Sequence, residues 1–189
     1  VKKARPAAVL SALPHVNIAT LLDTEIGGLA ANFVDYIDAY NGTATGHEND
    51  LSLSVAQYLQ LIATSTALTA SDTVILSDTA AKIKTLNAAQ KSALASNKID
   101  VVDASDADLV LTINEANAFS GVTFGSTHQV IVSDLSTAIS NLSATAITAL
   151  VGMGVDKFQP TDTTNNYLRL TVAQAKALGA AVCDGDVRI

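Results

Sequence analysis

The seven residues "LSLSVAQ" at 51–57 recur as "LVLTINE" at 109–115 and as "LRLTVAQ" at 168–174. Each copy reads apolar, variable, apolar, Ser or Thr, apolar, variable, then Gln or Glu. A motif written three times at even spacing calls for one structural unit built three times. Ser54, Thr112 and Thr171 stand 58 and 59 residues apart, and a second marker keeps nearly the same step. Asp23 in "LLDT", Asp78 in "LSDT" and Asp134 in "VSDL" are 55 and 56 apart.

The units from Val74 and from Val130 align at a constant offset of 56. Asp78 meets Asp134, Ile83 meets Ile139, Leu94 meets Leu150, and Asp100 meets Asp156. The later unit then inserts three residues in "QPTDTTNNY", as a loop tolerates. The first unit diverges, as terminal repeats that cap a stack commonly do. There "TEIGGLAANFVDYIDAY" sets Leu29, Phe33, Tyr36, Ile37 and Tyr40 at helical spacing. "VRI" at 187–189 falls where another strand would begin. The organisation read from these markers is an N-terminal arm (1–16), a divergent capping repeat (17–69), a second repeat (70–124) and a third (125–182). Residues 183–189 then start a further repeat or form a C-terminal edge.

Within one unit, "TVIL" is β-branched and short, a strand. Asp78 stands where an N-cap belongs. "TAAKIKTL" predicts a short helix, and Asn87 with Gln90 the capping box of the next. "KIDVVD" and "VTF" (122–124) are further strands. The recurring motif itself reads as an extended segment ending in a capping box: Ser54 with Gln57, Thr112 with Glu115, Thr171 with Gln174. Strands alternating with short helices predict an α/β repeat protein. It would be solenoid-like, with its strands stacked in a parallel sheet and the helices on the other side.

The palette suits thin layers. Hydrophobic residues make up 49% of the chain but aromatics only 4%, with no Trp. The net charge is −7, and three of the 11 basic residues (Lys2, Lys3, Arg5) lie in the first five positions. No basic stripe remains for phosphates or anionic lipid, so nucleic acid is excluded as an expected partner. No apolar run is long enough to insert in a membrane. The single cysteine, Cys183, has no internal partner.

Few residues suggest chemistry. "DVVDASDAD" sets Asp100, Asp103, Asp106 and Asp108 within nine residues, all oxygen ligands of the kind calcium takes, though without EF-hand spacing. They are the candidate metal site, and calcium the one candidate cofactor. His15, His47 and His128 occupy different places in the units and lack zinc spacing. "GMG" at 152–154 lacks the Walker lysine and follows a helix, so it reads as a helix end. No nucleophile motif is present, and no catalytic residue is expected.

The phrases "DTVILSDTAAKIKTLNAAQKSAL", "KIDVVDASDADLVLTINEANAF" and "YLRLTVAQAKAL" resemble the repeat units of large, acidic, secreted or surface repetitive proteins of Gram-negative bacteria, adhesin-like proteins exported by type I systems. The resemblance covers 70–182 well and 17–69 weakly. It implies an extracellular or cell-surface setting and a spacer, adhesive or assembly role. The expected function is therefore a non-enzymatic structural repeat module, its partners being further copies or neighbouring repeats end to end. The alternative is a module that holds calcium or a surface glycan in its acidic edge loops.

Overall fold

A computed structural model describes residues 8–11, 28, 34–38, 50–68, 72–162 and 167–189. The elements run β1 (Ala8–Ser11), β2 (Val34–Asp38), β3 (Asp50–Leu53), α1 (Val55–Thr64), β4 (Ala67–Leu68), β5 (Thr73–Asp78), α2 (Ala80–Lys84) and α3 (Ala88–Ser92). Then come β6 (Val101–Ala104), β7 (Leu109–Leu111), α4 (Ile113–Ala118), β8 (Thr123–Phe124), β9 (Val130–Asp134), α5 (Ser136–Ser140) and α6 (Ala144–Gly152). The chain ends with β10 (Lys157–Pro160), β11 (Leu168–Arg169), α7 (Val172–Ala177), β12 (Val182–Cys183) and β13 (Val187–Arg188). Among the described residues every strand pairing is parallel. The fold is α/β, with parallel sheets and short helices.

The recurring motif takes one local structure three times. β3 buries Leu51 and Leu53 and turns Ser52 outward. Leu109 and Leu111 do the same around Val110, and Leu168 and Leu170 around Arg169. This is the period-two alternation of extended chain with one face on a core. The hydroxyl that follows then caps a helix. Ser54 Oγ accepts from Gln57 N while Gln57 Oε1 accepts from Ser54 N. Thr112 with Glu115, and Thr171 with Gln174, form the same reciprocal box.

The strands divide into four sheets, with orders β1-β2-β4, β3-β5-β6-β8, β7-β9-β10-β12 and β11-β13. The expectation of one stacked sheet is corrected to this division, and the motif explains it. Each copy lays the first strand of a new sheet (β3, β7, β11) and then crosses through its helix. The chain next adds the last strand of the preceding sheet (β4, β8, β12) and only then returns to the new one. Consecutive sheets are thereby interlocked, since neither is finished before the next has begun. One hydrophobic cluster runs through this arrangement from Leu51 to Leu170, mostly Leu, Ile and Val, with Tyr58, Phe119, Phe124 and Phe158 as its aromatics.

Two further expectations change. The helix expected around residues 29–40 is not what forms at its centre, because Val34–Asp38 is the strand β2, carrying Tyr36 and Ile37. "VDYID" carries β-branched and aromatic residues, and pairing on both sides, with β1 and β4, settles it as strand. Leu29, Phe33 and Tyr40 lie outside the described residues. Asp78 does not cap α2 either: Thr79 does, its Oγ1 accepting from Lys82 N.

The capping boxes predict a measurable cost. Thr112→Ala should lower unfolding stability by about 1 kcal/mol. Val110→Thr, at the outward position between the core-facing Leu109 and Leu111, should change it by less than about 0.5 kcal/mol. Denaturant midpoints of the two variants check both.

Candidate functional site

The aspartates form a connected set of backbone acceptors. The first N–H of a helix has no partner inside the helix. At four helices that donor is taken by an aspartate 21 to 26 residues later in the chain. Val55 N donates to Asp78 Oδ2 (3.0 Å), Ala80 N to Asp106 Oδ1 (2.8 Å) and Ile113 N to Asp134 Oδ2 (3.1 Å). Ser136 N donates to Asp162 Oδ2. Asp78 and Asp134 use their other oxygen on the next residue in the chain, Thr79 N (2.8 Å) and Leu135 N (2.9 Å). A second set holds strand starts: Val74 N donates to Asp100 Oδ2 (2.9 Å) and Val130 N to Asp156 Oδ2 (2.8 Å).

The four candidate calcium ligands belong to these sets. Asp100 serves β5 and Asp106 serves α2. Asp108 Oδ1 accepts from Gln129 N (3.1 Å), just ahead of β9. Asp103 takes Thr127 Oγ1 on Oδ2 (2.6 Å), with Thr127 N near Oδ1 (3.4 Å). Asp100 and Asp106 are thus aimed at two different elements, and Asp103 and Asp108 at separate residues, Thr127 and Gln129, of the loop before β9. A calcium site needs its oxygens converging within about 2.3–2.6 Å of one point. Among the described residues no three His, Cys, Asp or Glu side chains come together as a metal-holding group. His128 is half-buried in the loop before β9, and His15 and His47 lie outside the described residues.

The motif's Gln or Glu also reaches beyond its own box. Gln174 Nε2 donates to Ser140 O (2.8 Å) and Leu142 O (2.6 Å), capping the C-terminal end of α5 from α7. Glu115 lies 3.9 Å from the ammonium of buried Lys91, which stands over the Phe119 ring. Sequence reading found the box because both partners lie three residues apart. It missed the contacts to a neighbouring helix, which span more than 20 residues.

Among the described residues Glu115 and Asp162 are held below the ordinary carboxyl range. For Glu115 the main cause is the Thr112 N–H, with Lys84 and Lys91 adding to it. For Asp162 it is the Ser136 N–H. Burial pushes the Cys183 thiol up, away from the thiolate that reacts.

A cleft of about 430 Å³ opens where α1 and β4 face the turn at Ser96–Lys98. At its base Tyr58 Oη accepts from Asn97 Nδ2 (3.1 Å) and donates to Gln90 O (3.4 Å). Comparison with known proteins finds no matching family model, no matching curated protein and no matching solved structure.

Three outcomes follow. Asp134→Ala removes the acceptor for two backbone donors and should cost about 1–3 kcal/mol in a urea titration. For acid, both lowered carboxyls contribute fully above their unfolded pKa values, and the contribution is lost as pH falls through the lower folded ones. Stability should therefore hold from neutral to about pH 5 and then fall, with a shallower acid limb in Glu115→Gln and Asp162→Asn. Millimolar calcium should leave the melting temperature unchanged, because an ion would have to displace backbone donors from these carboxylates. A calcium-dependent rise would instead place a site in the acidic loops.

Proposed function

We propose that this chain is a non-enzymatic structural module, a length of α/β solenoid made of repeated units. It would serve outside the cell or on a bacterial cell surface as a spacer, an adhesin segment, or the protomer of a surface layer or filament. The observation that carries this reading is how the recurrent polar residues are used. The hydroxyls of the motif copies cap helices, their Gln and Glu close the boxes, and the aspartates at unit spacing hold N–H groups of the adjoining coil. The positions that vary between copies, Ser52, Val110 and Arg169, are the outward ones. A site copied three times would keep its outward residues and vary its scaffold.

The exposed apolar residues beside β11 support stacking against a further copy as the mode of partnership. Val130 and Val132 are 3% and 0% exposed, on β9, which is paired on both sides, with β7 and β10. Their counterparts beside β11, Val187 and Ile189, are 41% and 81% exposed. Val172 N is the counterpart of Val55 N and Ile113 N, yet it has no aspartate acceptor among the described residues. A further copy of the same pattern would bury the first pair and cap the third. Among the described residues no helix is long and apolar enough to cross a membrane.

The test appends residues 133–189 after Ile189, once and then twice. The maximum dimension from small-angle scattering should grow by a constant increment per unit, and melting should stay a single transition at rising temperature. Separate melting of the added units, or a particle that grows as a compact globule, would sink the reading.

A further inference from the structure

The cleft at the junction of the first two sheets has a filled counterpart one unit later. Where the motif of α1 carries Leu61, that of α4 carries Phe119. Where β4 carries Leu68, β8 carries Phe124. The two rings meet edge to face, with centroids 5.5 Å apart. Met153, at the position matching Asn97, packs on the same core, and Phe124 N donates to Met153 O across the junction. No such bond joins Leu68 to Asn97 among the described residues. The first junction is thus built from smaller side chains, and its walls stand apart.

The backbone singles out the same place. Among the described residues only Ser65 and Lys98 are non-glycine with positive φ, 55° and 66°. Both line this cleft. Their counterparts are Gly121 at φ 89° and Gly154 at φ 102°. A side chain is strained in that region, and strain kept against an available glycine points to use of the side chains. At Gly154 a Cβ would lie 3.1 Å from Phe124 O, so the filled junction has little space for one, whereas Lys98 has the open cleft.

We propose that this cleft binds a small amphiphilic anion, an aliphatic carboxylate of medium length. Leu61, Ile62 and Leu68 offer an apolar floor for the tail, and the cleft lies within the usual size range of small-molecule sites. The head would meet the Lys98 ammonium, with Ser65 and Asn97 on the rim as hydrogen-bond partners. Among the described residues no acidic side chain lines the cleft, and Lys98 has no carboxylate at ion-pair distance. In a chain of net charge −7, a cation left unpaired over an apolar floor is selective for this class.

Titration of the full chain with octanoate, followed by backbone amide NMR, tests the proposal. Saturable shifts should appear at α1, β4 and Ser96–Lys98. Lys98→Gly adopts the residue of the filled junction and should stay folded with the strain removed. It should bind about tenfold more weakly, as loss of one charge-assisted contact predicts. Leu68→Phe should refill the space and abolish the shifts. No saturable shifts at millimolar octanoate, equal affinity in Lys98→Gly, or equal affinity for neutral octanol would each overturn it.

Discussion

A helix of five or six residues leaves most of its backbone donors unpaired, and most of the α-helices among the described residues are that short. α2, α3 and α5 have five residues each and α4 and α7 have six. In each the first four N–H groups have no partner inside the helix. Short helices also gain little from propagation. The fold therefore depends on acceptors supplied from elsewhere, and two kinds meet at the helix starts. At every one of these helices but α5, a local hydroxyl or amide three residues back takes one donor. At α1, α2, α4 and α5, an aspartate of a later coil takes another. The abundance of Ser, Thr and Asp follows from that need, and so does much of the negative charge.

The same acceptors join layers. Asp78 ends β5 and caps α1. Asp134 ends β9 and caps α4. A carboxylate at the end of one strand that satisfies a donor of an earlier helix also sets the distance between the two elements. Interlocked sheets add to this, because each motif copy commits the chain to a new sheet before the old one is closed. Small aliphatic side chains then fill thin layers without large rings. The exceptions are informative: Phe119 and Phe124 close one junction, and Leu61 and Leu68 leave the preceding one open.

Reading from residues succeeded where the interaction is short in sequence. The capping boxes at Ser54, Thr112, Thr171 and Asn87 were visible because each partner lies three residues away. The strand at 187–188 was visible from its likeness to "VIV". Asp78 and Asp134 were recognised as recurrent, but Asp78 was read as the cap of the helix that follows it, since nothing local tells these carboxylates to bond donors 23 and 21 residues back. Val34–Asp38 read as helix because its apolar spacing fits both periods, and sheet pairing decided between them. The cleft was not legible at all. It comes from two leucines standing where phenylalanines stand elsewhere, a contrast with meaning only once their positions coincide in space.

The sequence by itself determined the local grammar of this protein: where chain turns from extended to helical, which face of each strand is buried, and the step at which the pattern returns. Those features rest on periodicity and on contacts within one helical turn. Only the tertiary structure decided which sheet a strand joins, which donor an aspartate serves and where space is left unfilled. Each of these depends on segments 20 to 30 residues apart being brought side by side, and that is fixed by packing and pairing between coils.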